Sequence, residues 1–336
     1  MKNRYNLLGG ILLGVILLAA WLKFINWHEF TAYFRTFNLS SVLLFSLFYG
    51  LAYFLRSLRW RLILKPIYRM TLRESFTLFM TGLLINYLIP VRAGEFAKSI
   101  ILKKKHEVRI SASLPSVFID KMTDLFPIIL IMILIPLVAV ELNLTLKIII
   151  SLLFLIFLIF IAFLFFAVNH RSKAVNILHY VLRFFPGKTR NRLEEFFLNF
   201  VAGFAIMQGR PLDNIKIYII TLLAVFSEAI YVFAVFQAFG AEISYPQILF
   251  GYTLMNLTYI LPTPPAQIGS NQFMWVLIFS VALGIDANLT SAAVTFSHLL
   301  TSIWIFALGA ISLLALNISL SEIVHRNKSE VDYGEK

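Results

Sequence analysis

The chain of 336 residues has no cysteine and little charge, since Asp, Glu, Lys and Arg make up only 14% of it. The absence of cysteine excludes disulfide bonds and thiol chemistry. A soluble domain usually has about 25% charged and about 45–50% apolar residues. This chain is 60% hydrophobic with a mean hydropathy of +0.83, which is too apolar for a single soluble core. The composition predicts an all-α polytopic membrane protein.

Motifs for several kinds of chemistry are also missing. The sequence has no Gly-rich phosphate loop, no HExxH and no nucleophile elbow, and its six histidines are scattered without metal-ligand spacing. We therefore predict no catalytic residue, no metal and no cofactor. The excess of 29 basic over 17 acidic residues would suggest nucleic-acid binding in a soluble protein, but a positive cytoplasmic face explains it here.

Apolar segments near the length of about 20 residues that crosses a bilayer recur along the chain. The predicted spans are 6–24, which we interpret as a retained helix and not a cleaved signal, 40–58, 111–140, 145–168, 216–239 and 289–317. The segments 27–37 and 169–210 mix aromatic, basic and apolar residues, which is typical of interfacial helices.

Two further apolar stretches, 76–102 and 245–283, are broken by prolines into arms too short to cross. We predict that each stretch is a re-entrant hairpin. We also predict that the protein lies in the cell membrane with both termini in the cytoplasm. This topology places 23 of the 29 Lys and Arg on the cytoplasmic side, as the positive-inside rule requires. Arg56 and Arg59, at the end of the second span, are expected to snorkel to the interface.

The order of segments repeats. Repeat one covers about 1–141 and repeat two about 142–320 of a single transmembrane domain, 1–320, followed by a polar cytoplasmic tail, 321–336. The turns share local text, because NYLIP (86–90) resembles TYILP (258–262). Inverted repeats with broken helices are typical of transporters, whose binding sites lie near the midplane. The alternative is that prolines and glycines merely kink ordinary helices.

Charged residues cluster in and after the first hairpin. They are Arg92, Glu95, Lys98, Asp120, Lys121 and Asp124. Each charge costs about 2.5–3.5 kcal/mol at the bilayer centre, and whole proteins are stable by only about 5–15 kcal/mol, so we expect these groups to pair, face water or lie near the surface.

Two roles are open for this cluster. In the first, Glu95, Asp120, Lys121 and Asp124 form a polar network beside a lipid headgroup. The headgroup-binding residues would then be Arg92, Lys98, Asn86 and Gly94. Arginine can donate two parallel hydrogen bonds to a phosphate, and irregular backbone near Gly94 would offer free amides. The alternative is a salt-bridge clasp that holds the hairpin in place.

The second hairpin is uncharged and rich in amides. Its candidate residues are Asn256, Pro262, Pro265, Gln267, Gly269, Asn271 and Gln272. The amides could contact a ligand or only form hydrogen bonds between helices. Glu228 and His298 lie in predicted spans as possible proton or ion relays, although for each of them a packed, hydrogen-bonded role is the favoured interpretation.

Three segments, NYLIPVRAGEFAKSIILKK, FIDKMTD and YILPTPPAQIG, resemble the flippase-like membrane family, also called the lysylphosphatidylglycerol synthase transmembrane region. The resemblance covers about residues 5–320. The family pattern near the first hairpin is a Pro, then an Arg-Ala-Gly-Glu run, then a basic residue. Pro90, the run from Arg92 to Glu95 and Lys98 match it here, with Lys98 where Arg is usual. Asp120, Lys121 and Asp124 match the next acid–base pattern. In the family, the second hairpin usually reads Pro-Gly-Gly-x-Gly with a Glu shortly after it. Here the segment reads Pro-Ala-Gln-Ile-Gly (265–269), and Gln272 stands near the position of that Glu.

The resemblance implies a lipid-moving membrane domain, without a fused soluble catalytic domain in this sequence. We therefore predict a flippase-like transporter whose partners are membrane lipids. The candidate cargoes are anionic phospholipids, aminoacylated lipids and polyprenyl-phosphate lipids. The alternatives are a membrane-embedded transferase that modifies lipids and a non-transporting partner subunit. No oligomeric state is predicted.

Overall fold

A computed structural model describes residues 2–35, 37–89, 93–138, 169–183, 210–258 and 263–318, and scattered positions from 148 to 201. The protein is all-helical across these residues, as predicted. The first part of the chain forms α1 (Lys2–Leu22), α2 (Trp27–Tyr33), α3 (Leu39–Leu64), α4 (Leu72–Leu88), α5 (Ala93–His106), α6 (Ile110–Thr123) and α7 (Leu125–Val138).

The second part begins with α8 (Arg171–Leu182) and α9 (Pro211–Ala238). It continues through α10 (Tyr245–Thr258), a 3₁₀ turn (Pro265–Gln267), α11 (Ser270–Trp275), a π-helical continuation (Val276–Ala282) and α12 (Ala287–Leu316). We call α4 with α5 the first hairpin. The second hairpin is α10 with the segment from Thr263 to Ala282.

Among the described residues, three helices are long and apolar enough to cross a membrane, namely α3, α9 and α12. They confirm that the predicted segments 40–58, 216–239 and 289–317 are helical and apolar. A fourth candidate joins α1 to α2, which are bent by 92° at the break between them. The predicted span 111–140 is divided into α6 and α7 at Asp124, and the predicted span 145–168 lies largely outside the described residues.

Local sequence explains where several helices begin and end. Thr71 and Glu74 form a reciprocal capping box at the start of α4, and Asp286 accepts from the Leu289 amide at the start of α12. α4 stops before Pro90 because the residue that precedes a proline is disfavoured in helical conformation, and Ile89 is extended. α12 ends at Asn317 in the left-handed conformation.

Two long helices, α3 and α9, pack antiparallel at the centre of the protein. The Asn38 amide donates to the Ala238 carbonyl at 3.3 Å, and Lys65 lies 3.5 Å from Asp213 at the other end. α4 packs against α12, and α10 packs against α7. Each hairpin therefore lies beside the central pair and against a helix from the other half of the chain.

Candidate functional site

A cavity of about 490 Å³ lies between the two hairpins and the central helices. This volume is in the usual range of about 300–1,000 Å³ for small-molecule sites. Ten of the predicted site residues line it: Asn86, Glu95, Lys98, Lys121, Asp124, Glu228, Asn256, Gln267, Asn271 and His298. The structure thus brings both hairpins and both predicted relay residues to one cavity, which charged, amide, aromatic and aliphatic side chains line together.

The first hairpin is closed by a contact between two glycines. A Cβ atom on Gly94 would collide with the carbonyl oxygen of Gly82, so only glycine allows α5 to approach α4 this closely. Asn86 reinforces the contact, because its Oδ1 accepts from the Gly94 amide at 2.8 Å and its Nδ2 donates to Glu95 at 3.0 Å. The Gly94 amide expected to be free is therefore bonded within the hairpin.

Two lysines share the Glu95 carboxylate. Lys98 Nζ lies 2.7 Å from Glu95 Oε2, and Lys121 Nζ lies 3.0 Å from Glu95 Oε1. Lys98 is almost fully buried, with its ammonium 4.9 Å from the ring centres of Trp60 and Phe79. Aromatic faces stabilise a buried cation, which adds to the ion pair.

Arg59 links the two aspartates that the sequence had placed on one helix face. Its Nε donates to Asp120 Oδ1 at 2.9 Å and its Nη1 to Asp124 Oδ1 at 2.6 Å. Arg59 is only 1% exposed, so the prediction that it snorkels to the interface is wrong. The physical reason is that α3 continues to Leu64, beyond the predicted end at 58, which keeps this side chain inside the helix bundle.

Arg56 is also held in an ion pair, with its side chain 12% exposed. Its two terminal nitrogens donate to the two carboxylate oxygens of Glu228 at 2.5 and 2.6 Å. This bidentate geometry is the strong form of an Arg–carboxylate pair, and it joins α3 to α9. Glu228, which the sequence suggested was alone in its span, is therefore paired, and the predicted snorkelling of Arg56 is wrong as well.

The charges of this network balance within the described part of the chain. Four cations, Arg56, Arg59, Lys98 and Lys121, face four carboxylates, Glu95, Asp120, Asp124 and Glu228. The predicted mutual network is present, but it includes two arginines and one glutamate from helices that the sequence had not assigned to it. Arg92 lies outside the described residues.

The second hairpin is held by neutral hydrogen bonds. The Gln272 side chain accepts from the Gly269 amide at 2.9 Å and lies 2.9 Å from His298. Asn256 donates to the Tyr252 carbonyl at 3.2 Å. Gly269 has a φ of +80°, and a Cβ there would collide with the Gly14 carbonyl of α1. Pro265 begins the 3₁₀ turn, whereas Pro262 lies outside the described residues.

Sequence reasoning missed the tyrosines of the cavity wall. They are Tyr49, Tyr53, Tyr87, Tyr231 and Tyr252. A pattern that could have found part of this wall is the spacing of Tyr49, Tyr53 and Arg56, which are four and three residues apart and therefore share one face of α3.

Comparison with known proteins places the chain in a family. The family model described as "Lysylphosphatidylglycerol synthase TM region" matches residues 7–309. Two proteins of Methanothermobacter thermautotrophicus, both described as "UPF0104 membrane protein", are similar to it. One is 27% identical over 76% of this chain and 77% of its own length, and the other is 25% identical over 96% and 98%. No solved structure matches. This protein is therefore a membrane protein that belongs to the family of the lysylphosphatidylglycerol synthase transmembrane region.

Proposed function

We propose that this protein moves an anionic lipid, or a lipid-linked anionic headgroup, between the leaflets of the cell membrane. The observation that supports this most is the shared cavity, where charged side chains of the first hairpin and amide side chains of the second hairpin line the same space. A volume of about 490 Å³ suits a polar headgroup but not two acyl chains. The acyl chains would stay in the bilayer while the headgroup passes through the cavity.

The charge distribution favours an anionic headgroup at the first hairpin. Lys98 and Lys121 both contact Glu95, and Lys98 also lies 3.7 Å from Asp120, so two ammonium groups lie together at this end of the cavity within a network that is neutral as a whole. Lys121 is 35% exposed and can reach a ligand. A phosphate bound here would replace the solvation that these ammonium groups lose in the protein interior, and Arg92 is close in sequence.

The helix packing supports inverted repeats with re-entrant hairpins as the framework for this transport. The first hairpin packs against α12 of the second half through α4, and the second hairpin packs against α7 of the first half through α10. α3 and α9, which hold the same place in their halves, pack antiparallel with each other. A two-fold exchange of the halves explains all three pairings. The positive-inside charge count supports the same arrangement, and on both grounds we propose that the two termini are cytoplasmic.

The test is a leaflet-sidedness assay with the purified protein in vesicles. Fluorescent phosphatidylglycerol, aminoacylated phosphatidylglycerol, a polyprenyl-phosphate glycolipid and a neutral diacylglycerol would be followed with a membrane-impermeant quencher. We expect faster exchange of at least one anionic lipid than in protein-free vesicles, and no effect on the neutral lipid.

Lys121→Met should lower this exchange about tenfold, because charge-assisted hydrogen bonds contribute about 1.5–3 kcal/mol. The matched control is Lys23→Met, which removes an exposed lysine away from the cavity and should leave exchange unchanged. Full activity of Lys121→Met would contradict the headgroup site. Formation of a modified lipid without exchange would favour a transferase, and neither result would favour a partner subunit.

A further inference from the structure

His298 of α12 lies where the second hairpin meets α4 and α12. Its Nδ1 is 2.9 Å from the Gln272 side-chain nitrogen. Its Nε2 is 2.8 Å from the Ala266 carbonyl oxygen and 2.8 Å from the Tyr87 hydroxyl. The residue is 7% exposed, and one ring therefore connects three elements around the cavity.

Two backbone groups determine which ring nitrogen is protonated. The Gly269 N–H can only donate, so the Gln272 oxygen faces it and the Gln272 NH₂ group must face His298. Nδ1 of His298 is then a bare acceptor. The Ala266 carbonyl can only accept, so Nε2 has the hydrogen. The geometry requires a neutral imidazole in a single tautomer.

The neighbouring groups are consistent with this assignment. The Ser302 hydroxyl donates its one hydrogen to the His298 carbonyl at 2.6 Å, so the Tyr87 hydroxyl must donate its own hydrogen to Ser302. The Tyr87 oxygen can then only accept from Nε2, whose hydrogen it shares with the Ala266 carbonyl. Charged groups of the same cavity lie on the elements packed around it. They are Arg56, Glu95, Lys98, Lys121, Asp124 and Glu228. Within the described residues each of them is paired with an opposite charge, and none forms an ion pair with His298.

A second proton on His298 would break the contact with Gln272. An N–H at Nδ1 would point at the Gln272 NH₂ group, so donor would face donor. Gln272 could relieve this only by turning its amide, which would leave the Gly269 N–H without its acceptor. The turn that these bonds hold is strained, because Ala266 and Gln267 have φ of 51° and 56°.

We propose that His298 is a proton-binding site that latches the second hairpin over the cavity. In the neutral form, the turn from Thr263 to Gln272 is fixed to α12 and α4. A proton from water binds the Nδ1 lone pair, the Gln272 contact is lost, and the turn moves away from the cavity. This proposal rests on the proposed function only for the identity of the headgroup that the open cavity admits.

The natural absence of cysteine provides a direct test. Thr263, in the turn, lines the cavity, and Thr263→Cys would be labelled with a water-soluble maleimide at several values between about pH 5 and about pH 8. Each rate is divided by the rate for the unfolded chain at the same pH. We expect the normalised rate to rise about tenfold on acidification, the factor that corresponds to the loss of one or two hydrogen bonds.

Two further variants on this background identify the titrating group. His298→Asn keeps an acceptor towards Gln272 and cannot be protonated, so labelling should stay slow at every pH. Gln272→Glu can accept from a protonated Nδ1 and from the Gly269 amide together, so labelling should be slow at acid pH and faster at higher pH, where the unprotonated Nδ1 would face a carboxylate. Circular dichroism melting confirms that each variant is folded.

Labelling of Thr263→Cys that does not change with pH would overturn the proposal, as would an equal acid response in His298→Asn. A flat Thr263→Cys profile in protein that exchanges lipid would reject the latch and keep the proposed function. Faster labelling at acid pH in protein that exchanges no lipid would keep the latch and reject the proposed function.

Discussion

The two hairpins both line the cavity but are stabilised in different ways. The first is held by ion pairs between α5 and α6, where Lys98 Nζ lies 3.7 Å from Asp120 Oδ2 and Lys121 Nζ lies 3.0 Å from Glu95 Oε1. The second is held by neutral bonds among Gln272, Gly269 and His298. A buried ion pair is costly to assemble and more costly to break. In a neutral hydrogen-bond network, by contrast, the binding of one proton can turn an acceptor into a donor. The first hairpin is therefore suited to be a fixed wall and the second to be a movable one.

The largest effect should come from breaking the ion pairs behind the first hairpin, where Arg59 of α3 holds Asp120, the α6 residue that also pairs with Lys98 of α5. Arg59→Leu would leave Asp120, buried at 0% exposure, with Lys98 at 3.7 Å in place of the closer Arg59, and we expect the free energy of unfolding to fall by about 3–5 kcal/mol. The double variant Arg59→Leu with Asp120→Leu should regain part of this loss. Thermal unfolding in detergent measures both, with the exposed Arg35→Leu as control. If Arg59→Leu lowered the free energy of unfolding no more than Arg35→Leu does, the ion pair would not stabilise the fold.

A smaller effect should come from separating α4 and α5 without changing any charge. Gly94→Ala places a methyl group against the Gly82 carbonyl, and overpacking of this kind costs about 1–3 kcal/mol. Gly9→Ala is the matched control, because a Cβ atom added there would have no neighbour within 4 Å. The alanine there should be neutral or slightly stabilising, since alanine favours the helix. Equal unfolding temperatures for the two variants would contradict the close approach of α4 and α5.

The smallest effect on stability should come from the second hairpin. Gln272→Met keeps the side-chain size but leaves the Gly269 amide and His298 Nδ1 without their partner, at a cost of about 1–2 kcal/mol. The same unfolding assay should rank it below Arg59→Leu, because no charge is left unpaired. A loss as large as that of Arg59→Leu would mean that the two hairpins are held with equal strength.

Some parts of the site could be predicted because they depend on local sequence. Pro90 and the prolines at 262, 264 and 265 marked where apolar stretches are interrupted, and the described residues on either side end or begin helices there. The spacing of Asp120 and Asp124 placed both on one helix face, and Arg59 does bond to both. The re-entrant path of the hairpins through the bilayer remains a prediction.

Other parts could not be predicted because they depend on how far a helix continues and what it meets. The chain from 56 to 65 is basic enough to suggest a cytoplasmic loop, yet α3 remains helical through it. Once the helix continues, Arg56 and Arg59 point towards α9 and α6 and cannot reach the interface. A hydropathy window averages over such residues and therefore ends the span too early.

The sequence by itself determined that this is an all-helical membrane protein, where its helices break, and to which family it belongs. Composition and local spacing are sufficient for these properties, because they depend on transfer to the bilayer and on the backbone. Only the tertiary structure decided the partners of the charges. Arg56 and Glu228 are 172 residues apart, and Arg59 and Asp120 are 61 apart. Periodicity shows which face of a helix a side chain occupies, but the packing of helices distant in the chain selects what that face meets.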